Sequence, residues 1–252
     1  MPMRDTASLL LADLAAALSL LTRLPVWSHA APAPRAAWAW PLAGVIVAGL
    51  SATATSAALA LGLPPGPAAA IALITAALLT GGLHEDGLAD TADGLMGGQT
   101  RERRLEIMKD SRIGSYGTLA LLLITLTRWS ALTTLIAAGQ HWTALIAAGA
   151  LSRAPMAVLI ATLPNARGSG LSHLTGRPPR SAMLGALAIA AAIALLTTGP
   201  TLLPMALAGA ATTALLARAA VKRIGGQTGD ILGASQQLAE AAALSLAAAH
   251  LA

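Results

Sequence analysis

Long, uninterrupted apolar runs dominate the pattern of this chain. A helix needs about 20 apolar residues to cross roughly 30 Å of hydrocarbon, and the sequence contains seven runs near that length. They are 41–63, 67–83, 117–138, 142–163, 181–198, 201–220 and 237–252. The runs are continuous rather than alternating, so they predict helices and not the strands of a barrel. Because the last run is short, we expect an all-α, polytopic transmembrane helical bundle with six or seven spans.

The connections between these runs alternate in character. Those at 64–67, 139–141 and 199–200 are short and uncharged, whereas the other four segments contain 23 of the 27 charged residues. These four are 1–40, 84–116, 164–180 and 221–236. The alternation places them all on one side of the membrane. Since 13 of the 16 Lys and Arg lie there, that side is expected to be the cytoplasmic face.

Composition supports lipid as the main solvent. The chain is 56% hydrophobic and 11% charged, whereas soluble domains have about a quarter charged residues. It contains no cysteine, which excludes disulfides, thiolate metal sites and thiol nucleophiles. The net charge of +5 comes without a dense basic run, so no nucleic-acid partner is expected.

We predict one integral-membrane catalytic domain over residues 1–252. The segment 7–24 is apolar but contains Asp13 and Arg23, which favours a helix lying in the membrane interface over a first span. The oligomeric state is left open by the sequence, a homo-oligomer included.

Four charges fall outside the loop segments. Arg128 and Arg153 lie near the middle of their spans, where each needs a partner or a wet cavity. They either form a structural pair with a carboxylate or carbonyls, or line an anion-accepting cavity. Arg218 and Glu240 lie close enough to the predicted interface to reach it with their side chains.

An acidic cluster follows the second run, in the segment GGLHEDGLADTADG at 81–94. Asp86, Asp90 and Asp93 have the spacing i, i+4, i+7, which places them on one face of a helix. A single helix from residue 67 through Asp93 would carry them just beyond the membrane. Three carboxylates on one face repel, and a divalent cation would relieve the repulsion. Oxygen ligands predict Mg²⁺ or Mn²⁺; the alternative is a solvated acidic helix end neutralised by arginine.

A basic cluster comes directly after the acids, in TRERRLEIMKDSRIGSYG at 100–117. Arginine suits bidentate contact with phosphate, and a metal site beside a phosphate site is typical of phosphoryl transfer. Two further polar loops, NARGSGLS at 165–172 and IGGQTGDILGA at 224–234, could offer backbone N–H groups to an anion. Asp230, in the second, could be a further metal or hydroxyl contact.

Both motifs, GGLHEDGLADTADG and RRLEIMKDSRIGSYG, resemble those of cobalamin synthase, the adenosylcobinamide-GDP ribazoletransferase family. LTRLP at 21–25, SRAP at 152–155 and the two polar loops extend the resemblance along the chain. The resemblance implies a reaction of adenosylcobinamide-GDP with α-ribazole or α-ribazole 5′-phosphate. The ribazole 3′-hydroxyl attacks the phosphate next to the cobinamide aminopropanol, GMP leaves, and Mg²⁺ is required.

On this basis we predict a role for each residue of the two clusters. Asp86, Asp90 and Asp93 would hold Mg²⁺ on the diphosphate, and Asp93 and Asp110 would be the catalytic carboxylates, with Asp110 either completing the metal site or accepting the hydroxyl proton. The predicted phosphate contacts are Arg101, Arg104, Lys109 and Arg112. His84, which abuts the acids, is more easily explained as a hydrogen-bonded spacer than as a base.

Two alternatives remain at this point. A CDP-alcohol phosphotransferase also uses aspartates at a helix end, but its Asp-Gly is followed by Ala-Arg, and Asp93-Gly94 is not. A transporter would use charges within the spans, such as Arg128 and Arg153. Most charge here lies instead in loops on one face, which favours a surface enzyme.

Overall fold

The structure is a computed structural model that describes residues 6–26 and 33–252. This described part is helical and contains no β-strand, which confirms the all-α prediction. Two 3₁₀ helices, Pro34–Ala39 and Gly199–Thr201, accompany the α-helices. The α-helices are α1 (Thr6–Leu21), α2 (Trp40–Ala60), α3 (Pro65–Thr80), α4 (Leu83–Gly97), α5 (Arg101–Ile107), α6 (Ser115–Ala137), α7 (His141–Leu151), α8 (Ala154–Thr162), α9 (Leu171–Thr175), α10 (Arg180–Thr198), α11 (Leu202–Ile224) and α12 (Gly229–Leu251).

Several of these helices could cross a membrane. By length and hydropathy four stretches of the described chain qualify, or five if the bent pair α3–α4 is counted as one: Pro34–Ala60, Ser115–Ala137, His141–Thr162 and Arg180–Ile224. The last has 45 residues, or roughly 68 Å of helix, more than twice the hydrocarbon thickness. Gly199, at a φ of +56°, interrupts it, so it contains the two spans predicted there.

Helices α1 and α12, at the two ends of the described chain, do not meet the criteria for a membrane span. The predicted run 237–252 lies inside α12, which does not qualify as a span by these criteria. Helix α1 has 16 residues, about 24 Å, and is too short to cross the hydrocarbon alone. Its Asp13 accepts a hydrogen bond from Trp38 Nε1 at 3.1 Å and pairs with Arg35 at 2.8 Å. These contacts hold α1 against the segment before α2; its interfacial position stays a prediction.

The single helix predicted from residue 67 through Asp93 is wrong. α3 ends at Thr80, α4 begins at Leu83, and the two helices meet at 90°. Gly81 and Gly82 form the bend at φ of +65° and +69°, a backbone region that glycine enters without a Cβ penalty. We take α3 as the spanning part, because α4 carries four acids and lies beyond the bend.

Three of the four charged segments gather at one end of the bundle, as predicted. Arg101 donates to the carbonyl of Ile224 at 2.9 Å and to that of Ala166 at 2.6 Å. Arg223 donates to the carbonyl of Leu95 at 2.6 Å. Segments 84–116, 164–180 and 221–236 therefore form one continuous surface.

Helices α2 and α7 contact each other backbone to backbone at Gly44 and Gly149. A Cβ on Gly44 would lie 2.0 Å from the Gly149 carbonyl oxygen, and one on Gly149 would lie 2.8 Å from the Gly44 oxygen. Small residues allow such close approach between helices in lipid, where van der Waals packing drives association. The contact therefore fixes how two spans of the bundle sit against each other.

Substituting Gly44 by alanine is expected to destabilise the protein by about 1–3 kcal/mol, because the methyl group must push two backbones apart. Gly49→Ala, on the same helix, is the matched control. A Cβ there would meet only Ile146 Cδ1 at 3.8 Å, so that variant should be nearly neutral. Thermal unfolding in detergent measures both, and equal shifts in the two variants would contradict the close contact.

Candidate active site

The site is built where α4 crosses the first turn of α12. A Cβ on Gly87 would lie 2.9 Å from the Asp230 carbonyl oxygen, and a Cβ on Gly233 would lie 3.3 Å from the Cα of His84. Two glycines, one on each helix, thus let the backbones touch. The crossing brings Asp230 next to the acids of α4, although 140 or more residues separate them in sequence.

Three carboxylates cluster at this crossing: Asp86, Asp90 and Asp230. Asp86 and Asp90 share a face of α4, as their spacing predicted. Burial, and then the charges of Asp230 and Asp86, raise the pKa of Asp90 to about 7. Burial also raises the pKa of Asp230, against the opposing effect of Arg167. The cluster therefore holds more negative charge than its protein neighbours compensate.

Asp93 does not join this cluster in the way predicted. Its two carboxylate oxygens accept the backbone N–H groups of Gly114 at 2.7 Å and Gly117 at 2.9 Å, at the start of α6. The side chain is buried, and a Cβ on either glycine would lie 2.4 Å from one of its oxygens. Asp93 therefore anchors the N-terminus of α6, where a carboxylate also meets the positive end of the helix dipole. Its predicted metal and catalytic roles do not follow from this geometry.

Asp110 lies in the turn after α5, outside the acid cluster. It pairs with Arg112 at 2.7 Å and accepts the Arg112 backbone N–H at 3.0 Å. Those hydrogen bonds lower the pKa of Asp110 to about 2, which makes it a weak proton acceptor near neutral pH. The structure thus explains Asp110 as the partner of Arg112 and does not place it with Asp86 and Asp230.

The predicted phosphate ligands divide into two pairs. Arg101 and Arg104 donate to backbone carbonyls at the end of α11, Arg104 to the Arg223 oxygen at 3.4 Å. They therefore join α5 to the rest of the bundle. Lys109 and Arg112 are exposed on the surface beside α5, so they remain accessible to an anion.

Arg167 is a candidate site residue that the sequence analysis did not single out. It donates to Asp230 Oδ2 at 2.7 Å and to the Met108 carbonyl at 3.4 Å. Its Nε is buried and has no hydrogen-bond partner among the described residues. The polar loop at 165–172 pointed to this region, but nothing in its spacing identified which residue faces the acids. Arg167 is a cation held beside the carboxylates with a donor to spare.

A cavity of about 180 Å³ opens beside these groups. Asp86, Arg167 and Asp230 line its polar end, together with the backbone around Gly170. His84, the hydroxyl side chains of Ser169, Ser172 and Thr175, and apolar side chains line the rest. The site therefore offers carboxylates, a guanidinium and a largely apolar recess within one opening.

In the described part of the chain, no three His, Asp or Glu side chains converge closely enough to hold a metal ion by themselves. Asp86, Asp90 and Asp230 nevertheless supply only hard oxygen donors. Mg²⁺ usually takes one or two carboxylates and completes its shell with water and substrate phosphate. The donor set and its uncompensated charge fit such an ion.

A buried ion network lies on the other side of α4. Glu240 accepts from Arg128 at 2.6 Å and from Arg153 at 2.9 Å, and it also bonds with Gln236. Gln237 donates to Glu85 Oε1 at 3.0 Å, which links the network to α4 directly beside Asp86. The network thus connects α6, α12 and the turn between α7 and α8 to the helix that carries the acids.

This network settles two predictions about charges in the spans. Arg128 and Arg153 form the structural pair with a carboxylate, and both side chains are buried. The prediction that Glu240 reaches the interface is wrong, because its side chain is buried between the two guanidinium groups. The position of Glu240 in the sequence suggested the end of a span, but packing of α12 against its neighbours buries the side chain inside the bundle.

Comparison with known proteins gives a consistent result. The family model described as cobalamin-5-phosphate synthase matches residues 13–248. A protein of Bradyrhizobium diazoefficiens named adenosylcobinamide-GDP ribazoletransferase is 46% identical, over 98% of this chain and 97% of its own. Relatives of the same name from Azorhizobium caulinodans and Mesorhizobium japonicum are 48% and 42% identical, over 94% and 96% of this chain and 95% of each relative.

No solved structure matches this chain. The sequence matches cover nearly all of it, including the two motifs that carry the resemblance and the loops that supply Arg167 and Asp230. The chain belongs to the cobalamin-5-phosphate synthase family, which confirms the resemblance seen in the sequence.

Proposed function

We propose that this protein is an adenosylcobinamide-GDP ribazoletransferase that works at the membrane surface. The 3′-hydroxyl of α-ribazole, or of its 5′-phosphate, attacks the phosphorus next to the aminopropanol of adenosylcobinamide-GDP. A new oxygen–phosphorus bond forms, the phosphoanhydride bond breaks and GMP leaves. The observation that carries this proposal is the meeting of Asp86, Asp230 and Arg167 in the wall of one cavity, with Asp90 close enough for the charges of both aspartates to act on it.

Asp86, Asp90 and Asp230 are proposed to hold Mg²⁺, which when bound would offset charge on the diphosphate. Arg167, which lines the cavity, binds a phosphate oxygen through its guanidinium group, and Lys109 and Arg112 attract the GDP moiety at the surface. The hydroxyl proton passes to a carboxylate oxygen of the three aspartates. Asp93 holds the start of α6, so it supports the site without touching substrate.

The side of the membrane is part of the proposal. Lys and Arg concentrate in the loops that surround the acids, and such loops stay in the cytoplasm. We propose that the site faces the cytoplasm of a bacterial inner membrane. The family match favours this function over a CDP-alcohol phosphotransferase or a transporter, and the internal neutralisation of Arg128 and Arg153 also disfavours an ion path.

The proposal is tested with the full-length protein purified into lipid nanodiscs. Incubation with adenosylcobinamide-GDP and α-ribazole is expected to release one GMP for each corrinoid product formed. Removing divalent metal with a chelator should reduce the rate by about 100-fold or more, since metal stabilisation of a phosphoryl transition state contributes several kcal/mol. Added Mg²⁺ or Mn²⁺ should restore it.

The outcomes separate the parts of the proposal. A folded protein that forms no corrinoid product with either acceptor would contradict the activity. Product formation at an unchanged rate after exhaustive metal removal would contradict the metal site alone. Transport of a corrinoid across liposomes without GMP release would support the transporter alternative.

A further inference from the structure

A basic groove lies on the surface of the bundle, where the last turns of α11 pass the end of α8. Its volume is about 720 Å³. Three cations and four apolar residues line it: Arg218, Lys222, Arg223, Leu163, Ala217, Ala219 and Val221. None of these lining residues of the described chain is acidic. An anion in the groove would therefore meet positive charge and no competing carboxylate.

Two of the cations have no counterion. Arg218 and Lys222 lie four residues apart on one face of α11, and both side chains are exposed. Within residues 6–26 and 33–252, neither forms an ion pair or a hydrogen bond. Like charges at this spacing repel, and the sequence of α11 contains no acid that would offset them. A bound anion would relieve this repulsion.

The same face of α11 continues into the membrane as an apolar surface. Leu207 and Leu215 are 62% and 68% exposed. Leu207 precedes Arg218 by 11 residues, or about 16 Å of helix, which is close to the roughly 15 Å of hydrocarbon in one leaflet. A molecule with a charged head and an acyl chain would therefore contact the cations and the leucines together.

The end of α11 also holds the helices of the candidate active site. Arg223 donates to the carbonyl of Leu95 on α4 at 2.6 Å. From α5, Arg101 donates to the carbonyl of Ile224 at 2.9 Å. A ligand that orders the last two turns of α11 therefore also supports α5 and the helix that carries the acids.

We propose that the basic groove binds the phosphate headgroup of an anionic phospholipid, whose acyl chain lies along Leu207 and Leu215. Arg218 and Lys222 donate to the phosphate oxygens in charge-assisted hydrogen bonds. Basic pockets beside spanning helices are a recognised mode of binding such headgroups. A soluble phosphate would satisfy the cations but gain nothing from the leucines. The inference rests on the membrane-embedded fold and not on the proposed reaction.

The first experiment measures thermal unfolding of the full-length protein in neutral detergent micelles. Phosphatidylglycerol, at about ten times its Kd, is expected to raise the melting temperature by about 3 °C or more, because it binds the folded state. Phosphatidylcholine with the same acyl chains, which carries no net charge, should leave it within about 1 °C. Equal shifts with the two lipids would overturn the proposal.

Substitutions in the groove locate the effect. Arg218→Gln and Lys222→Gln should each weaken binding of phosphatidylglycerol by about fivefold, the contribution of one cation near an anionic lipid. Arg103→Gln is the matched control, since Arg103 is an exposed cation of α5 that does not belong to the groove. It should keep the wild-type affinity. Equal affinities in all three variants would show that the lipid acts through overall charge and would overturn the site.

Lys222→Glu separates binding from a loss of structure. It places a carboxylate four residues after Arg218, where the two side chains pair and replace the lipid as counterion. Without lipid, this variant should be at least as stable as the wild type, and it should gain nothing from phosphatidylglycerol. A gain equal to that of the wild type would overturn the proposal.

The last experiment separates a lipid from a free phosphate. Glycerol phosphate, which has the headgroup chemistry without the acyl chains, is expected to produce no shift at the concentration used for phosphatidylglycerol. A shift as large as that of the lipid would overturn the lipid assignment. None of these measurements uses turnover, so their outcome is independent of the proposed function.

Discussion

Replacing Glu240 by glutamine is expected to lower the free energy of unfolding by about 3–5 kcal/mol, because it removes the one anion between two buried cations. Arg128 and Arg153 both bind Glu240, at 2.6 Å and 2.9 Å. Glu85, at 3.5 Å from Arg128, is the next nearest carboxylate. Without Glu240, Arg153 would have no ion-pair partner among the described residues, in surroundings that solvate a charge poorly.

The measurement is reversible unfolding of the purified protein in mixed micelles. Glu106→Gln is the matched control, since Glu106 also pairs with an arginine, Arg103 at 3.1 Å, but on the exposed surface of α5. Exposed pairs contribute little, so this variant should unfold close to the wild type. The triple variant Arg128→Met, Arg153→Met, Glu240→Met removes all three charges together and should recover much of the loss. A Glu240→Gln protein as stable as Glu106→Gln would show that the network is not a source of stability.

The buried ion network also contacts the helix that carries the acids Asp86 and Asp90. Gln237 and Arg128 both contact Glu85, and Glu85 precedes Asp86 on α4. Loosening the network should therefore move the helix that carries Asp86 and Asp90. Stability and the geometry of the active site share this set of contacts.

Much of the architecture follows from the sequence for a simple physical reason. Backbone groups in lipid must be paired within their own segment, so a continuous apolar run is sufficient to predict a helix. The run 117–138 corresponds to α6 and the run 181–198 to α10. The alternation of charged and uncharged connections likewise predicted that the charged loops meet at one end.

The parts that the sequence could not predict depend on contacts between distant segments. Apolar periodicity continued through Gly81 and Gly82, and only their left-handed backbone reveals the bend. The spacing of Asp86, Asp90 and Asp93 predicted one cluster of three carboxylates. In the structure, however, the Asp93 carboxylate accepts hydrogen bonds from backbone N–H groups at the start of α6. Asp230 replaces it because two glycines let α12 touch α4, and no local pattern encodes that crossing.

Replacing Asp90 by asparagine is expected to reduce kcat/KM by about 100-fold or more at a moderate Mg²⁺ concentration. Asp90 is half-buried, and the charges of Asp230 and Asp86 act on it directly. The amide keeps the shape of the side chain but removes its charge, so a bound cation loses one anionic ligand. A loss of this size corresponds to about 2.7 kcal/mol of transition-state stabilisation, within the several kcal/mol that metal stabilisation provides.

Two readouts separate this effect from a general loss of structure. Mn²⁺ affinity, followed by electron paramagnetic resonance, should fall by about tenfold or more in Asp90→Asn. The melting temperature should not fall, because the substitution relieves repulsion among three carboxylates. Glu102→Gln, an exposed acid of α5 whose nearest cation is 3.8 Å away, is the matched control. It should keep both wild-type turnover and Mn²⁺ affinity, because Glu102 is an exposed residue of α5 and does not belong to the carboxylates at the α4–α12 crossing. If Asp90→Asn turns over at a near wild-type rate, the carboxylates at the α4–α12 crossing do not hold the metal, and the chemistry must lie with the exposed charges around α5.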